Sequence, residues 1–384
     1  MRDGIHFKAA EFEDRRKRAV EALQRAGLDG LILFAPESHL WLTGYDTFGF
    51  AMFQAMVLKA DGSVRLLTRL PDLRQAQETS VLEDSEIVIW KEEEGANPAR
   101  DLKKLLREMG LGGKRLGVET QTHGLTHWNG GLVRAELGEL QEASEVLRSC
   151  RRVKSQAEVG MHRKAAELSD KALDAALEAT QAGAFEGDIL AEMQGAVFRG
   201  GGDYAGNEFI IGSGRRALLC RYFSGRRHLD AEDQLTLEWS GAYARYHAAM
   251  MQTLIVGKAS PGQVRMHGAC EEALEACEAR IKPGATMGEV YEAHRKVFDA
   301  HGFKDARLQA CGYGMGAVYN PIWVDFPMFY EGNPLEIIEN QVFFLHMILM
   351  DSAAGHAMCL GHSVLVTADG CERLSRHAPA LHQL

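Results

Sequence analysis

Three features are scarce or missing in this chain of 384 residues. Its seven cysteines are scattered and form no C-x-x-C pair, which argues against a disulfide framework or a zinc knuckle and for reduced thiols. No stretch approaches the roughly 20 consecutive apolar residues of a membrane helix, and the apolar stretch 342–350 contains His346. Basic residues are not in excess either, because 43 Lys and Arg stand against 53 Asp and Glu. The net charge of −10 makes nucleic acid an unexpected partner.

The composition is that of an ordinary globular protein, with 46% apolar and 25% charged residues. The first 20 residues are charged and contain no apolar core of a signal peptide, so we expect a cytoplasmic protein without a membrane segment. The length favours two domains. Internal repeats and low-complexity segments are not evident.

The first 150 residues alternate helix and strand patterns. Helical spacing of apolar residues predicts a helix over 9–26, and the runs 55–58 and 64–67 flank the turn dipeptide Asp61-Gly62 as a hairpin would. Further strand and helix patterns follow up to about 119. This alternation predicts an α/β domain over 1–150.

The remaining residues, 151–384, have a different pattern. Ser155 with Glu158 forms a capping-box signature, and a long helix is predicted from there to about residue 182. Thr286 with Glu289 marks a second helix start. Strand-like runs lie at 209–214, 235–243, 251–256, 342–350 and 363–367. We therefore expect an α+β domain in which helices cover a curved antiparallel sheet.

Over nearly its full length the chain resembles the creatinase / Xaa-Pro dipeptidase / methionine aminopeptidase family. The segments that carry the resemblance are FAPESHLWLTGY (34–45), RRVKSQAEVGMHRKAAELSDKA (151–172), LEWSGAYARYHAAMMQTLIVG (237–257), KPGATMGEVYE (282–292), GYGMG (312–316), NQVFFLHMILM (340–350) and GHSVLVTADGCERLS (361–375). The resemblance implies an N-terminal α/β domain (1–150) and a "pita-bread" catalytic domain (151–384). It also implies a homodimer. In creatinase the loop after the LTGY segment reaches the site of the partner, so Phe48 and Phe50 could help to enclose a substrate there, although packing in the core is the favoured role for both residues.

Peptidases of this family hold two divalent metals with two Asp, one His and two Glu. The resemblance places these five positions on Glu238, Ala249, Tyr313, His346 and Gly361 of this chain. Alanine and glycine offer no side-chain ligand, and a neutral phenol is a poor ligand for a hard divalent ion. We therefore expect no metal and no cofactor.

The family also has a metal-free branch that includes creatinase and ectoine hydrolase, and the chain looks closest to that branch. Glu238 replaces the first Asp, Arg245-Tyr246-His247 follows it, and Gly312-Tyr313 replaces the Gly-His of the later turn. These substitutions indicate a new chemistry in the old site.

Three residues are the predicted catalytic groups. The Glu238 carboxylate is expected to act as nucleophile or general base, and the His346 imidazole as acid or base. The Tyr313 hydroxyl is expected to donate to a developing negative charge. Each of the three has an alternative without catalysis. Glu238 could be a leftover carboxylate paired with an arginine, His346 a histidine of the core, and Tyr313 an aromatic residue that serves packing.

Six further residues are predicted to bind substrate. Arg221 stands where peptidases of the family place a proton-handling histidine. Its guanidinium could bind a substrate carboxylate. The others lie near the predicted site strands: His247, Asp325, Tyr330, Asp351 and His356. His247 is nine residues from Glu238, and this odd spacing predicts the opposite face of a strand unless a bulge intervenes.

The leading hypothesis is a metal-independent hydrolase of a C–N bond in a small polar compound that bears a carboxylate. An amidine such as ectoine and a guanidino acid such as creatine illustrate the substrate class. A catalytically silent binding protein is the second hypothesis, and a metallopeptidase with an unusual ligand set is the third.

Overall fold

The protein was analysed as a computed structural model, which describes residues 4–221 and 225–384. The chain divides into two compact units, Met1–Arg151 and Arg152–Leu384. Each unit contains its own sheet and its own hydrophobic core. In the described ranges, no helix combines the length and apolar character needed to span a membrane.

The first unit is built around a mixed six-stranded sheet in the order β4-β3-β2-β1-β5-β6. Its strands are β1 (Gly30–Leu33), β2 (Ala55–Lys59), β3 (Val64–Arg69), β4 (Ile87–Trp90), β5 (Leu116–Val118) and β6 (Gln141–Glu142). Its helices are α1 (Ala9–Arg25), α2 (Pro36–Thr43), α3 (Leu73–Thr79), α4 (Pro98–Glu108), α5 (His127–Leu137) and α6 (Ser144–Arg152).

Helices cover both faces of this sheet because its central strands are apolar on both faces. In β1, Leu31 and Leu33 pack with α1, α2 and α6, whereas Ile32 packs with α4 and α5 on the other face. The predicted first helix and the β2–β3 hairpin are confirmed, with Gly62 at φ +88° in the turn. The α/β character predicted from the alternating pattern is therefore confirmed.

The second unit contains an eight-stranded sheet in the order β11-β10-β12-β13-β9-β8-β7, with β14 beside β13. Its strands are β7 (Ile210–Ser213), β8 (Asp233–Tyr243), β9 (Tyr246–Val256), β10 (Ala310–Gly314), β11 (Asp325–Tyr330), β12 (Val342–Asp351), β13 (His356–Val366) and β14 (Cys371–Arg373). Its helices are α7 (Gln156–Ala179), α8 (Glu186–Arg199), α9 (Pro261–Glu278) and α10 (Met287–Ala300).

The predicted helix starts of this unit are confirmed by their caps. The Ser155 hydroxyl accepts a hydrogen bond from the Glu158 amide, and the Glu158 carboxylate accepts one from the Ser155 amide. Helix α7 ends at Ala179, earlier than the predicted 182. Strands β9 and β13 begin five and seven residues earlier than predicted, because histidine, alanine and glycine interrupt their apolar pattern.

The helices cover one face of this sheet and leave polar residues on the other. On β8 the indole N–H of Trp239 donates to the Ser169 carbonyl of α7, and on β12 Leu345 packs with α9 and α10. Because successive side chains alternate between faces, Glu238 and His346 point to the opposite side. The antiparallel sheet covered by helices agrees with the predicted fold class.

Candidate active site

A row of four directly paired residues crosses four neighbouring strands. Glu238 on β8 pairs with Met251 on β9, Met251 pairs with Gly361 on β13, and Gly361 pairs with His346 on β12. Directly paired residues project to the same face of a sheet. Glu238 and His346 therefore share one face, with Met251 and a glycine between them.

Curvature of the sheet brings a third side chain to this row. Tyr313 lies on β10, four strand spacings from β8, which would be about 19 Å in a flat sheet. The Tyr313 hydroxyl nevertheless donates a hydrogen bond to Oε1 of Glu238 at 3.4 Å. The three predicted catalytic residues are thus brought together, and the predicted curvature is seen directly.

The Tyr313 ring is enclosed by other rings and by the Trp323 indole. Its centroid lies 5.4 Å from Phe344 and 5.7 Å from His346, and the Trp323 N–H donates to its hydroxyl at 2.8 Å. Burial, followed by the nearby Glu238 carboxylate, raises the pKa of the Tyr313 phenol well above its usual range. The phenol therefore keeps its proton and acts as a hydrogen-bond donor at neutral pH.

Glu238 has the acidity of a group that can both take and give a proton near neutral pH. Burial raises its pKa to about 7, while the Arg221 charge and the Tyr313 hydrogen bond lower it and only partly offset burial. A general acid–base group is most effective when its pKa lies near the working pH. The environment of Glu238 meets this condition.

His346 is a neutral imidazole in the same pocket. It is 7% exposed, and burial lowers its pKa to about 4. Its Nδ1 atom is buried and has no hydrogen-bond partner in the described part of the chain. An orphaned buried nitrogen is costly, and a substrate hydrogen-bonding group would satisfy it.

Arg221 approaches the site on a segment that follows β7. Its side chain is exposed, and its charge lowers the pKa values of both Glu238 and His346. The short 3₁₀ helix Gly214–Leu218 of the same segment packs against β8 and β13. This position is compatible with binding of a substrate anion by Arg221, which stays a prediction.

A single buried carboxylate holds both ends of this segment. Oε1 of Glu186, which is fully buried, accepts hydrogen bonds from the amide and hydroxyl of Ser213 at 2.9 and 2.6 Å. Its Oε2 accepts from the amides of Arg226 and Arg227 at 2.8 and 3.0 Å. Glu186 thus positions the segment that carries Arg221.

The side chains at the five positions that correspond to metal ligands do not fit a two-metal centre. Ala249 pairs with Ser240 beside the row, and neither Ala249 nor Gly361 has a ligating side chain. Within 4–221 and 225–384, no cluster of three or more His, Cys, Asp or Glu side chains could hold a metal ion. No chemical step is therefore assigned to a metal here.

His247 lies on the same face as Glu238, contrary to the face predicted from their odd spacing. The two strands form an antiparallel hairpin, in which Glu238 pairs with Met251, and His247 is four residues from Met251. Its ring is already satisfied, because Nε2 accepts from the Gly206 amide at 2.8 Å and Nδ1 donates to the Arg245 carbonyl at 2.7 Å. A substrate-binding role does not fit this saturated, fully buried ring.

Asp325 and Tyr330 lie on the edge strand β11. Asp325 is 8% exposed, opposite Gly314, and its Oδ1 accepts from the Phe326 amide at 2.9 Å. Tyr330 lies at the other end of the strand and is 48% exposed. The described contacts join neither side chain to Glu238, so their predicted substrate contact does not follow from the structure.

Asp351 and His356 are paired at the β12–β13 hairpin, away from the row. Asp351 accepts hydrogen bonds from the Ala353 and Ala354 amides and so stabilises the turn. Each residue is five positions from the row along its strand, about 16 Å at the usual rise. The structure therefore does not bring Asp351 and His356 beside Glu238, and their binding of substrate stays a prediction.

Two residues of the site were not found from the sequence. Trp323 lies in a segment without a recognisable motif, and Glu186 follows Phe185 at an ordinary helix start. Trp323 contacts Tyr313, which lies 10 positions earlier in the chain, whereas the partners of Glu186 lie 27 to 41 positions later. The one sequence signal for Glu186 is its place as an acidic residue in the first turn of α8, and acidic residues are common at this position of helices.

Comparisons with known proteins agree with this architecture. A model of metallopeptidase family M24 matches residues 160–368, and a model of the creatinase/prolidase N-terminal domain matches residues 15–153. An uncharacterised hydrolase/peptidase of Sinorhizobium fredii is 27% identical over 97% of both chains. Ectoine hydrolase of Halomonas elongata is 24% identical over 97% of this chain and 96% of its own.

The fold is also that of a solved relative. The Xaa-Pro dipeptidase of Bacillus anthracis superposes with a TM-score of 0.84 at 19% identity, covering 97% of this chain and 100% of the other. The resemblance inferred from the sequence segments is confirmed, as is the two-part architecture with a pita-bread sheet.

Proposed function

The chain belongs to metallopeptidase family M24, and on that premise we propose that it is a metal-independent hydrolase of a C–N bond. The substrate is a small polar amidine, guanidino compound or amide that bears a carboxylate. The observation that carries this proposal is the grouping of the three side chains: the Tyr313 hydroxyl donates to Glu238 at 3.4 Å, and the Tyr313 ring lies 5.7 Å from the His346 ring.

Glu238 is the central group of the proposed reaction. Its carboxylate takes a proton from the water that attacks the substrate carbon, and the same proton then goes to the leaving nitrogen. A pKa of about 7 suits both transfers. A C–O bond forms as the C–N bond breaks. Hydrolysis of an amide transfers one water proton to the leaving nitrogen and gives an acid and an amine. Hydrolysis of an amidine or guanidino group transfers both water protons to nitrogen, because the water oxygen becomes the carbonyl oxygen of the amide or urea product, and it releases an amine or ammonia.

The neighbouring groups bind and orient the substrate in this scheme. His346, whose pKa is lowered to about 4 by burial, is neutral at physiological pH and so serves as a hydrogen-bond partner rather than as the acid. Arg221 binds the substrate carboxylate as a cation that is always protonated. The similarity to ectoine hydrolase supports the choice of amidines within the substrate class.

The proposal is tested with extensively chelated protein and a panel of amidines, guanidino acids, amides and dipeptides. We expect release of amine or ammonia from an amidine or guanidino acid, at a rate that chelation leaves unchanged. Metal analysis should find less than stoichiometric Mn, Co or Zn. Activity that returns only when metal is added would favour the metallopeptidase alternative, and ligand binding without turnover would favour the binding protein.

We further propose that the protein is a homodimer. Phe48, in the first unit, is 76% exposed and packs edge-on against Phe50 at 6.0 Å, so a large apolar ring faces solvent. A second copy of the chain would cover this ring. Sedimentation at micromolar concentration should give about twice the 42.4 kDa of one chain, and a mass of one chain would contradict the dimer.

A further inference from the structure

Two buried side chains in series lead to the Glu238 carboxylate. The Trp323 indole, 1% exposed, donates to the Tyr313 hydroxyl at 2.8 Å, and Tyr313, 6% exposed, donates to Glu238 Oε1 at 3.4 Å. An indole N–H is a donor only, whereas a phenol can donate or accept. The indole therefore sets the direction of both hydrogen bonds.

We propose that Trp323 is a positioning residue that directs the Tyr313 proton toward Oε1 of Glu238 and so leaves Oε2 for the reacting water. This inference rests on the proposed function for its catalytic meaning. Because the indole N–H occupies the acceptor side of the phenol, the single phenolic hydrogen has to point elsewhere. Among the described residues, its acceptor is Oε1 of Glu238.

The position of Trp323 is set by a polar connection to the β8–β9 hairpin. Its backbone amide donates to Oδ1 of Asn207 at 3.2 Å, and a Cβ on Gly206 would lie about 3.0 Å from the Trp323 Cα. The Gly206 amide in turn donates to Nε2 of His247 at 2.8 Å. His247 therefore anchors the segment that holds the indole, which gives this residue a role outside the substrate pocket.

Several other titratable groups lie around the carboxylate. The segment after β7 contributes Cys220 and Arg221, and β13 contributes Cys359, each of which interacts electrostatically with Glu238. His346 of β12 lies beside the Tyr313 ring. Burial, followed by the Glu238 charge, raises the pKa of the Cys220 thiol, so this thiol stays protonated near neutral pH. Arg221 is the cation and Tyr313 the hydrogen-bond donor that lower the pKa of Glu238.

The test is an infrared titration of Glu238 in ligand-free protein, isolated as the difference between each protein and its Glu238→Gln counterpart. Wild-type protein should titrate near pH 7. Tyr313→Phe should raise the midpoint by about one unit, because a hydrogen bond to the charged form is lost. Trp323→Phe should raise it in the same direction by about half a unit or more, and adding it to Tyr313→Phe should cause no further shift.

Trp239→Phe is the matched control. Trp239 is a fully buried indole of the same unit whose N–H also makes one hydrogen bond, at 3.0 Å, but to Ser169 on the other face of the sheet. It should lose comparable stability and leave the Glu238 midpoint unchanged. Equal midpoints in Trp323→Phe, Trp239→Phe and wild-type protein would overturn the inference, whether or not hydrolysis is observed. A shift confined to Trp323→Phe in a protein without hydrolysis would keep the inference and refute the proposed function.

Discussion

Glu238→Gln should lower hydrolysis by roughly 10²–10⁴-fold if Glu238 is the general base, and by more if it is the nucleophile. The amide keeps the size of the side chain and can still accept the Tyr313 hydrogen bond, but it has no basicity. The measurement is kcat on the substrate that the panel identifies. Binding of the same compound, measured separately, shows whether only the chemical step is lost.

Glu232→Gln provides the matched control, because Glu232 is exposed and directly precedes β8 in the same unit. This variant should keep full activity. Hydrolysis by Glu238→Gln at a rate near that of wild-type protein would place the chemistry on a different residue.

The Glu238→Gln variant should be at least as stable as wild-type protein in mild alkali. Burial raises the pKa of Glu238 from 4.5 to about 7, so the folded state binds more protons than the unfolded state between these values. Stability contributed by the protonated form is therefore present below pH 4.5 and is lost as pH rises through about 7. Glutamine does not ionise and avoids this loss.

Gly361→Ala should destabilise the protein by about 3 kcal/mol and lower its Tm by roughly 6–12 °C. A Cβ at this position would lie less than 3.0 Å from the Leu345 carbonyl oxygen and 3.1 Å from the His346 Cα, both backbone atoms of the neighbouring strand. Strand β12 cannot move away without breaking its pairing with β13. Calorimetry on the purified variant measures the change.

Gly268→Ala is the corresponding control, since Gly268 lies on the exposed face of α9 and a Cβ there meets no atom within 4 Å. It should raise stability slightly, by about 0.5–1 kcal/mol. If Gly361→Ala were as stable as Gly268→Ala, the row between Glu238 and His346 would have room for a side chain.

Much of the fold could be predicted from local sequence. Capping residues such as Ser155 and Thr286 and the alternation of apolar residues mark helix starts and strands, because both depend on neighbours within a few positions. The absence of ligating atoms at Ala249 and Gly361 is also a property of the sequence alone, since no conformation can supply a side-chain donor that is missing.

The partners of the polar side chains were decided by the tertiary structure. His247 is saturated by Gly206 and Arg245, and Trp323 reaches Tyr313 across a turn that carries no motif. The contact between Gly206 and His247 joins residues 41 positions apart. The contact between Tyr313 and Glu238 joins residues 75 positions apart and depends on the curvature of the sheet. Local periodicity reports which face a residue takes within one strand, and only the assembled sheet determines which side chains from different strands meet.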